Sequence, residues 1–460
     1  MNRSENILIL GLGGIGKYIA GQLSAQGHLV TAIEHNPDKI DSAQEQLDAR
    51  LILGDVMSFD TWIEAKAESM NYLIAVTDND AVNLMASLIA DRLGIPQKII
   101  RARSIEVWRS TALMNLSDFK IDLLIRPEEL AAQEIARLLK WKAGNLMLDV
   151  GDKGLHIMGV HIKKGDPWIG MTIRDLAVHH EQAALQIAAV ARDIETLIPY
   201  GDLELQVDDH VFILARKSNL EALKNLLKWE EQIPQNVLII GGGLTGTRVA
   251  ELLERNFSVK LIEKSERRAE ELSLRLKKTT LLHGDGSERE TLLQAGLLQI
   301  DTVISATGDN ETNIMTCVLA KHLLNTQQNS TGHEKTISIV HREDYLVLAS
   351  AMGADLAVNK KVLASNQILR HIRRGHVLSV THIHGSEAEA VELLVDPHTP
   401  ITRKALAEIQ ELKQQIMIGA YHRSGEWHIA RGDTHLMSGD RVVCICKPEG
   451  LKSLERLFLK

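Results

Sequence analysis

Cysteine and long apolar runs are scarce in this chain of 460 residues. The three cysteines are Cys317, Cys444 and Cys446, an odd number that is typical of a reducing compartment and does not suit a disulfide framework. No apolar run approaches the roughly 20 residues that span a bilayer, and the polar first residues do not resemble a signal peptide. The sequence therefore predicts a cytoplasmic protein that reaches a membrane only through a partner.

Long basic runs and aromatic stripes are also missing. The net charge is −8, aromatic residues make up 3% of the chain, and the six tryptophans are scattered without a stacking pattern. These features argue against nucleic acid or an anionic lipid surface as the main partner. The apolar content of 45% is normal for a globular protein, and the length suits about three or four domains.

Two glycine-rich fingerprints stand out against this plain composition. Each follows a strand-like apolar run and has the spacing GxGxxG. One fingerprint suggests a cofactor site beside a substrate domain, whereas two in equivalent places suggest a symmetric receptor for nucleotides. The first comprises Gly11, Leu12, Gly13, Gly14, Ile15 and Gly16, and the second comprises Gly241, Gly242, Gly243, Leu244, Thr245 and Gly246.

The repeat extends well beyond the glycines. Matching residues recur at offsets of 229 to 233 positions along almost the whole chain. Such near-constant spacing indicates that the chain is a tandem duplication. The matched pairs include Glu34 with Glu263, Thr77 with Thr307, Asn83 with Asn313, Leu130 with Leu363, and Pro167 with Pro400.

Alternating strand and helix patterns predict a parallel, doubly wound sheet at the start of each half. The same order recurs from Asn236 to Val340. Pro127 is expected to open a helix through Lys140 with an apolar stripe. The predicted strands of the first half are Asn6–Leu10, Leu29–Ile33, Arg50–Leu53, Tyr72–Val76 and Lys98–Ala102.

A smaller α+β module is predicted after each sheet. In the first half we expect strands at Leu146–Ile162, Ala183–Ala191 and Val211–Ala215, with a helix near Met171–His179. The predicted fold class is therefore α/β, with two Rossmann-like doubly wound domains that are each followed by a small α+β domain. The predicted boundaries are 1–142, 143–228, 229–372 and 373–460.

The glycine turn has a physical purpose in nucleotide binding. Gly11 permits the tight turn, Gly13 lets the backbone approach a pyrophosphate, and Gly16 lets the helix pack closely on the strand. Glu34 stands where a carboxylate accepts ribose hydroxyls and repels a 2′-phosphate, which favours NAD(H) over NADP(H). Glu263 repeats this arrangement in the second half.

Polar residues after the fourth strand are expected to lie over the nucleotide. Thr77 and Asp78 occupy this place in the first half, and Thr307 does so in the second. Their alternative role is simple strand termination by turn-forming residues. Arg101 ends the fifth predicted strand and is a candidate phosphate contact without a clear counterpart in the second half, so we expect unequal affinities.

Together these residues resemble the TrkA family of Trk-system potassium uptake proteins. The resemblance is carried by the duplicated fingerprints, by Val76–Asp80 with Asn83, and by Ala306–Asn313. The segment Ser386–Glu392 resembles the start of that family's second C-terminal lobe. The resemblance covers essentially the whole chain, and it implies that each half is an RCK domain.

The resemblance also implies a function. Members of the family are cytoplasmic, peripheral regulators that form rings, commonly tetramers, beneath a potassium-translocating membrane subunit. They bind NAD and NADH, and often ATP or ADP. The family's dinucleotide contacts fall here on Gly11, Leu12, Gly13, Gly14, Ile15, Glu34, Thr77, Asp78 and Arg101, and on Gly241, Gly242, Gly243, Leu244, Thr245 and Glu263.

Three alternatives stay open at this point. The first is an NAD-dependent oxidoreductase, but His28 and His35 near the first fingerprint have no counterpart in the second, so no catalytic residue is assigned. The second is a zinc site from Cys444 and Cys446 with the histidines at 382 and 384, but nothing in the spacing brings the pairs together. The third is a redox-sensing regulator of another target, without a basic face or helix-turn-helix to support it.

Overall fold

The first half begins with a parallel six-stranded sheet of order β3-β2-β1-β4-β5-β6 in the computed structural model. The apolar residues Ile7–Leu10 of β1 are fully buried, because helices cover both faces of this central strand. The described residues are 4–103, 117–139, 147–152, 154–179, 185–192, 195–226, 235–326, 334–342, 344–372, 377–383, 386–412, 415–447 and 450–458. The elements are β1 (Asn6–Leu10), α1 (Gly14–Ala25), β2 (Leu29–Glu34), α2 (Pro37–Gln44), β3 (Arg50–Leu53), α3 (Phe59–Glu64), β4 (Tyr72–Ala75), α4 (Asp80–Arg92), β5 (Gln97–Arg101), β6 (Leu123–Ile125) and α5 (Pro127–Leu139).

The module that follows contains a five-stranded antiparallel sheet of order β10-β9-β11-β8-β7. The prediction of one strand over Leu146–Ile162 is wrong, because the chain turns back at Gly151 and Asp152, which both have positive φ. The elements are β7 (Met147–Val150), β8 (Leu155–His161), α6 (Ile173–His179), β9 (Leu185–Arg192), β10 (Glu195–Leu197), β11 (His210–Arg216) and α7 (Leu220–Leu226).

The second half repeats both parts. Its parallel sheet has the order β14-β13-β12-β15-β16-β17, which matches the first sheet strand for strand. The elements are β12 (Asn236–Ile240), α8 (Leu244–Leu253), β13 (Ser258–Glu263), α9 (Glu266–Arg275), β14 (Thr280–His283), α10 (Arg289–Gln294), β15 (Thr302–Ser305), α11 (Asn310–Asn325), β16 (Lys335–Val340), α12 (Asp344–Ala351), β17 (Leu356–Asn359) and α13 (Lys360–Ile372).

The last module is again an antiparallel sheet, of order β18-β19-β22-β20-β21. The predicted fold class is thereby confirmed, with Rossmann-like parallel sheets and antiparallel modules alternating along the chain. None of the described helices combines the length and apolarity needed to cross a bilayer. The elements are β18 (Val377–His382), β19 (Glu389–Leu394), β20 (Ile416–Arg423), β21 (Glu426–Ile429), β22 (Arg441–Cys446) and α14 (Leu451–Phe458).

The chain divides into two compact units that do not coincide with its two halves. The first unit contains Met1–Leu130 together with Lys360–Arg374, and the second contains Ala131–Asn359 and Gly375–Lys460. Helix α13, which lies in the second half of the sequence, therefore belongs to the first unit. The predicted domain boundaries at 142, 228 and 372 touch residues outside the described ranges and stay a prediction.

Candidate functional site

The first glycine turn links β1 to α1 at the carboxyl edge of the parallel sheet. Gly11 has a φ of +92°, and a Cβ added there would lie 3.0 Å from the Thr77 Cα. A Cβ on Gly16 would lie 1.9 Å from the Gly11 carbonyl oxygen. Both positions therefore require glycine so that strand, turn and helix can pack closely.

The middle glycine is different, because nothing lies within 4 Å of a Cβ built on Gly13. Gly13 precedes α1 as its N-cap residue and makes no side-chain capping hydrogen bond. The first amides of the helix consequently face this space with the positive end of the helix dipole behind them. Such a turn can hold an anionic group without a basic side chain of its own.

The second glycine turn reproduces the first in detail. Gly241 has a φ of +98°, a Cβ on Gly246 would lie 2.0 Å from the Gly241 carbonyl oxygen, and a Cβ on Gly243 meets nothing within 4 Å. The residues that follow Gly243, Leu244 and Thr245, begin α8 as Gly14 and Ile15 begin α1. In each turn the first and last glycines are required because a side chain would clash there. The middle glycine has open space beside it.

The acidic residue at the end of the second strand is tied to each turn. Glu34 is 3% exposed, and its Oε2 accepts a hydrogen bond of 2.7 Å from the backbone N–H of Leu12. Its Oε1 accepts from the backbone N–H groups of His35 and Asn36. Lys39 adds an ion pair at 3.7 Å. Because only donors surround the carboxylate, the site is built for a negative charge at this position.

Glu263 repeats the arrangement in the second half. Its Oε2 accepts from the Gly242 N–H at 2.7 Å, and its Oε1 accepts from the Ser265 N–H at 2.8 Å. Arg268 occupies the place of Lys39, and its Nε donates to the Gly242 carbonyl at 3.2 Å. Helix α9 also brings Leu272 close, since its Cδ1 would lie 2.4 Å from a Cβ on Gly242. The second turn is therefore covered by a helix of its own half.

A buried asparagine fixes the loop after the fourth strand of the first sheet. Asn83 is fully buried, and its Oδ1 accepts from the Thr77 hydroxyl at 2.7 Å and from the Thr77 N–H at 3.1 Å. Its Nδ2 donates to the carbonyl oxygens of Thr77 and Arg101. Asn83 thus joins the ends of β4 and β5, and it holds the Thr77 hydroxyl against the loop while Asp78 remains exposed.

Asn313 does the same in the second sheet. Its Oδ1 accepts from the Thr307 hydroxyl at 2.7 Å, and its Nδ2 donates to the carbonyl oxygens of Thr307 and Ile339. Sequence reasoning recorded both asparagines as repeat positions but gave them no role. The signal that could have found them is their invariant spacing from Thr77 and Thr307.

Arg101 lies among charged groups at the end of β5. Burial lowers the pKa of its guanidinium, the nearby Arg103 lowers it further, and Glu128, Asp80 and Asp78 oppose this. Its Nε is buried and has no hydrogen-bond partner among the described residues. The charge of Asp78 therefore acts on the Arg101 guanidinium. Both residues lie at the sheet edge that carries the glycine turn.

The residues considered for other sites are engaged elsewhere. His28 Nδ1 accepts from the Glu5 N–H at 3.3 Å, and the exposed His35 pairs with Glu34 at 3.0 Å. Cys444 and Cys446 are both buried, and burial raises the pKa of the Cys444 thiol. Residue 384 lies outside the described residues. Across the described chain, no three His, Cys, Asp or Glu side chains are placed to hold a metal ion together.

Fold and turn geometry define the class of this protein. It contains two tandem Rossmann-like domains with glycine-rich turns, each followed by an antiparallel module. The TrkA-N domain family matches residues 7–127 and 237–360, and the TrkA-C domain family matches residues 157–228 and 390–459. The chain belongs to the TrkA family of tandem TrkA-N and TrkA-C proteins, as the resemblance of the sequence indicated.

Relatives are similar over nearly the full length. The Trk system potassium uptake protein TrkA of Vibrio alginolyticus is 29% identical over 458 residues, with 98% of each chain covered. The protein of the same name from Halomonas elongata is 29% identical over 457 residues, again with 98% of each chain covered. These relatives are named for potassium uptake and not for a chemical reaction.

Solved structures share the fold. The GsuK RCK domain superimposes with a TM-score of 0.59 at 20% identity, covering 99% of this chain and 95% of that one. The structure described as the GsuK channel bound to NAD has a TM-score of 0.58 at 20% identity, covering 99% of this chain and 79% of that one. The RCK architecture expected for both halves is thereby confirmed.

Proposed function

We propose that this protein is the nucleotide-binding regulatory subunit of a Trk-type potassium uptake system. It binds NAD and NADH, and also ATP or ADP, at the two glycine turns. It acts as a tetrameric ring on the cytoplasmic side of the membrane and gates a potassium-translocating membrane subunit. It catalyses no reaction of its own.

One observation carries this proposal. Each turn pairs an open middle glycine with a glutamate that accepts a hydrogen bond of 2.7 Å from the backbone N–H of the residue before that glycine, Leu12 in one half and Gly242 in the other. That pairing suits a diphosphate at the turn and a ribose beside the carboxylate. Further support comes from the potassium uptake named in the relatives and from the NAD named in the GsuK structure.

The proposed site residues are those that the sequence predicted. In the first half they are Gly11–Gly16, Glu34, Thr77, Asp78 and Arg101, and in the second half Gly241–Gly246, Glu263 and Thr307.

Bound nucleotide is the signal in this proposal, and a change in the state of the ring is the response. A ligand changes the equilibrium between two ring states only if it binds them unequally, and coupling of about 1 to 3 kcal/mol is typical. We expect Thr77 and Asp78 to distinguish NADH from NAD, since the two differ by one positive charge at the nicotinamide.

Calorimetric titration with NADH, NAD, ATP and ADP tests the proposal. Gly13→Asp and Gly243→Asp add a carboxylate to each turn at a position where the Cβ itself meets no atom within 4 Å. The proposal predicts saturable binding that each substitution abolishes at its own turn, with no consumption of NADH. Absence of binding by the folded parent protein would remove nucleotide sensing, and steady oxidation of NADH would favour the oxidoreductase instead.

A further inference from the structure

Helix α13 lies in the second half of the sequence but belongs to the first compact unit. Its apolar face packs into the buried cluster that also contains Ile15 and Ile19 of α1 and the core of the first sheet. This helix and α1 consequently form a single packed layer within the first compact unit. The residues that α13 contributes are Ala364, Ile368, Leu369 and Ile372.

The first turn of α13 brings a lysine to the first glycine turn. A Cβ added to Gly14 would lie 2.3 Å from Lys361 Cε and 2.5 Å from Lys361 Nζ. The half-buried lysine side chain therefore lies against Gly14, the first residue of α1 and the neighbour of Gly13 in the sequence. The neighbouring Lys360 forms an ion pair with Glu128 at 3.2 Å, which balances its charge.

The position equivalent to Lys361 in the first half of the repeat is acidic. At the offset of 233 positions that relates Leu130 to Leu363, Lys361 corresponds to Glu128. The second turn is instead covered by Arg268 and Leu272, which belong to its own half. The two turns thus share their backbone geometry, and the first has Lys361 of the other half beside it in addition to Lys39 of its own half.

We propose that Lys361 binds the phosphate groups of the nucleotide at the first glycine turn, so that both halves of the chain build this site. The inference rests on the proposed function and extends it. An ammonium beside amides at a helix N-terminus adds a point charge to the anion site. Helix α13 follows β17 with no intervening residue. Lys361 would therefore connect a phosphate bound at the first site to the last strand of the second sheet.

The test isolates the first site with Gly243→Asp and titrates ADP and adenosine at two salt concentrations. In this background we expect Lys361→Gln to weaken ADP binding about tenfold and to reduce its salt dependence. Adenosine has no phosphate, so its affinity stays within about twofold of the parent value. Lys361→Arg keeps the charge and is expected to restore most of the ADP affinity.

Arg370→Gln is the matched control, because it removes one positive charge from the same helix about 13 Å further along its axis. We expect ADP affinity within about twofold of the parent value, and thermal unfolding confirms that each variant is folded. If Lys361→Gln left ADP affinity within twofold while Gly13→Asp abolished binding at this site, the inference would be wrong and the proposed function would stand. Equal loss of ADP and adenosine would assign Lys361 a structural role. Failure of the parent to bind ADP, ATP, NAD and NADH alike would overturn the proposed function itself.

Discussion

Leu12 and Glu34 are joined by a backbone-to-carboxylate hydrogen bond of 2.7 Å, and Gly242 and Glu263 are joined by one of the same length. The glutamate that is expected to bind the ribose therefore also holds the backbone of the residue before the middle glycine of the turn. Any change at the glutamate must alter both the shape of the turn and the charge beside it.

Glu34→Gln is expected to reduce discrimination against a 2′-phosphate. The amide keeps only one acceptor oxygen, while three backbone N–H groups face the side chain, so the variant also loses about 1 to 2 kcal/mol of stability. Removing the negative charge should raise the ratio of NADPH to NADH affinity about tenfold. Titration in the Gly243→Asp background measures this ratio, with Glu263→Gln as a control that leaves the first site unchanged. An unaltered ratio would show that Glu34 serves only to shape the turn.

Two alanine substitutions in the same turn should separate binding from folding. Gly16→Ala places a Cβ 1.9 Å from a backbone oxygen, which costs about 3 kcal/mol through overpacking. Gly13→Ala meets no atom within 4 Å and should lower Tm by at most about 3 °C, yet weaken nucleotide binding about tenfold. Thermal unfolding and titration of both variants give the comparison. Full affinity in Gly13→Ala would contradict the placement of phosphate at this residue.

Asn83→Leu is expected to destabilise the first lobe strongly. The substitution leaves the buried polar groups of Thr77 and the Arg101 carbonyl without their partner, at a cost of about 3 kcal/mol or more. Asn79→Ala is the control, because it removes an exposed helix cap that accepts from Ala81 and Val82 and costs about 1 kcal/mol. Chemical denaturation of both variants measures the difference. Equal losses would show that Asn83 does not hold the loop.

Lys335→Met should stabilise the protein near neutral pH. Lys335 is buried in β16, its Nζ donates to the Leu138 carbonyl at 3.2 Å, and burial lowers its pKa to about 8. Because the folded pKa lies below the unfolded value of about 10.4, the lysine destabilises the fold below pH 8 and this cost disappears as pH rises to the unfolded value. We expect a gain of about 2 kcal/mol at pH 7 that vanishes near pH 10.5. A gain that is independent of pH would mean that Lys335 is not penalised for its charge.

Local patterns predicted most strands of the parallel sheets because these strands are runs of mainly apolar residues. The glycine turns and the glutamates that end β2 and β13 lie where their spacing placed them. The short strands β6 and β17 carry no periodicity of their own. The hairpin at Gly151 does have a signal in the sequence, because Gly151 and Asp152 are turn-forming residues between two apolar runs. The assignment of α13 to the first unit could not be predicted, because its apolar stripe does not specify which lobe it covers. Lys361 was missed for the same reason.

Nucleotide control of potassium flux is the central claim, and proteoliposomes test it most directly. A Trk-type potassium-translocating subunit from the same organism is reconstituted with the parent protein or with the Gly13→Asp and Gly243→Asp double variant, and co-sedimentation confirms that each is bound. The account predicts that NADH or ATP changes potassium flux with the parent protein and has no effect with the double variant. Flux that is identical with and without nucleotide, while the parent protein stays bound to the subunit, would contradict it.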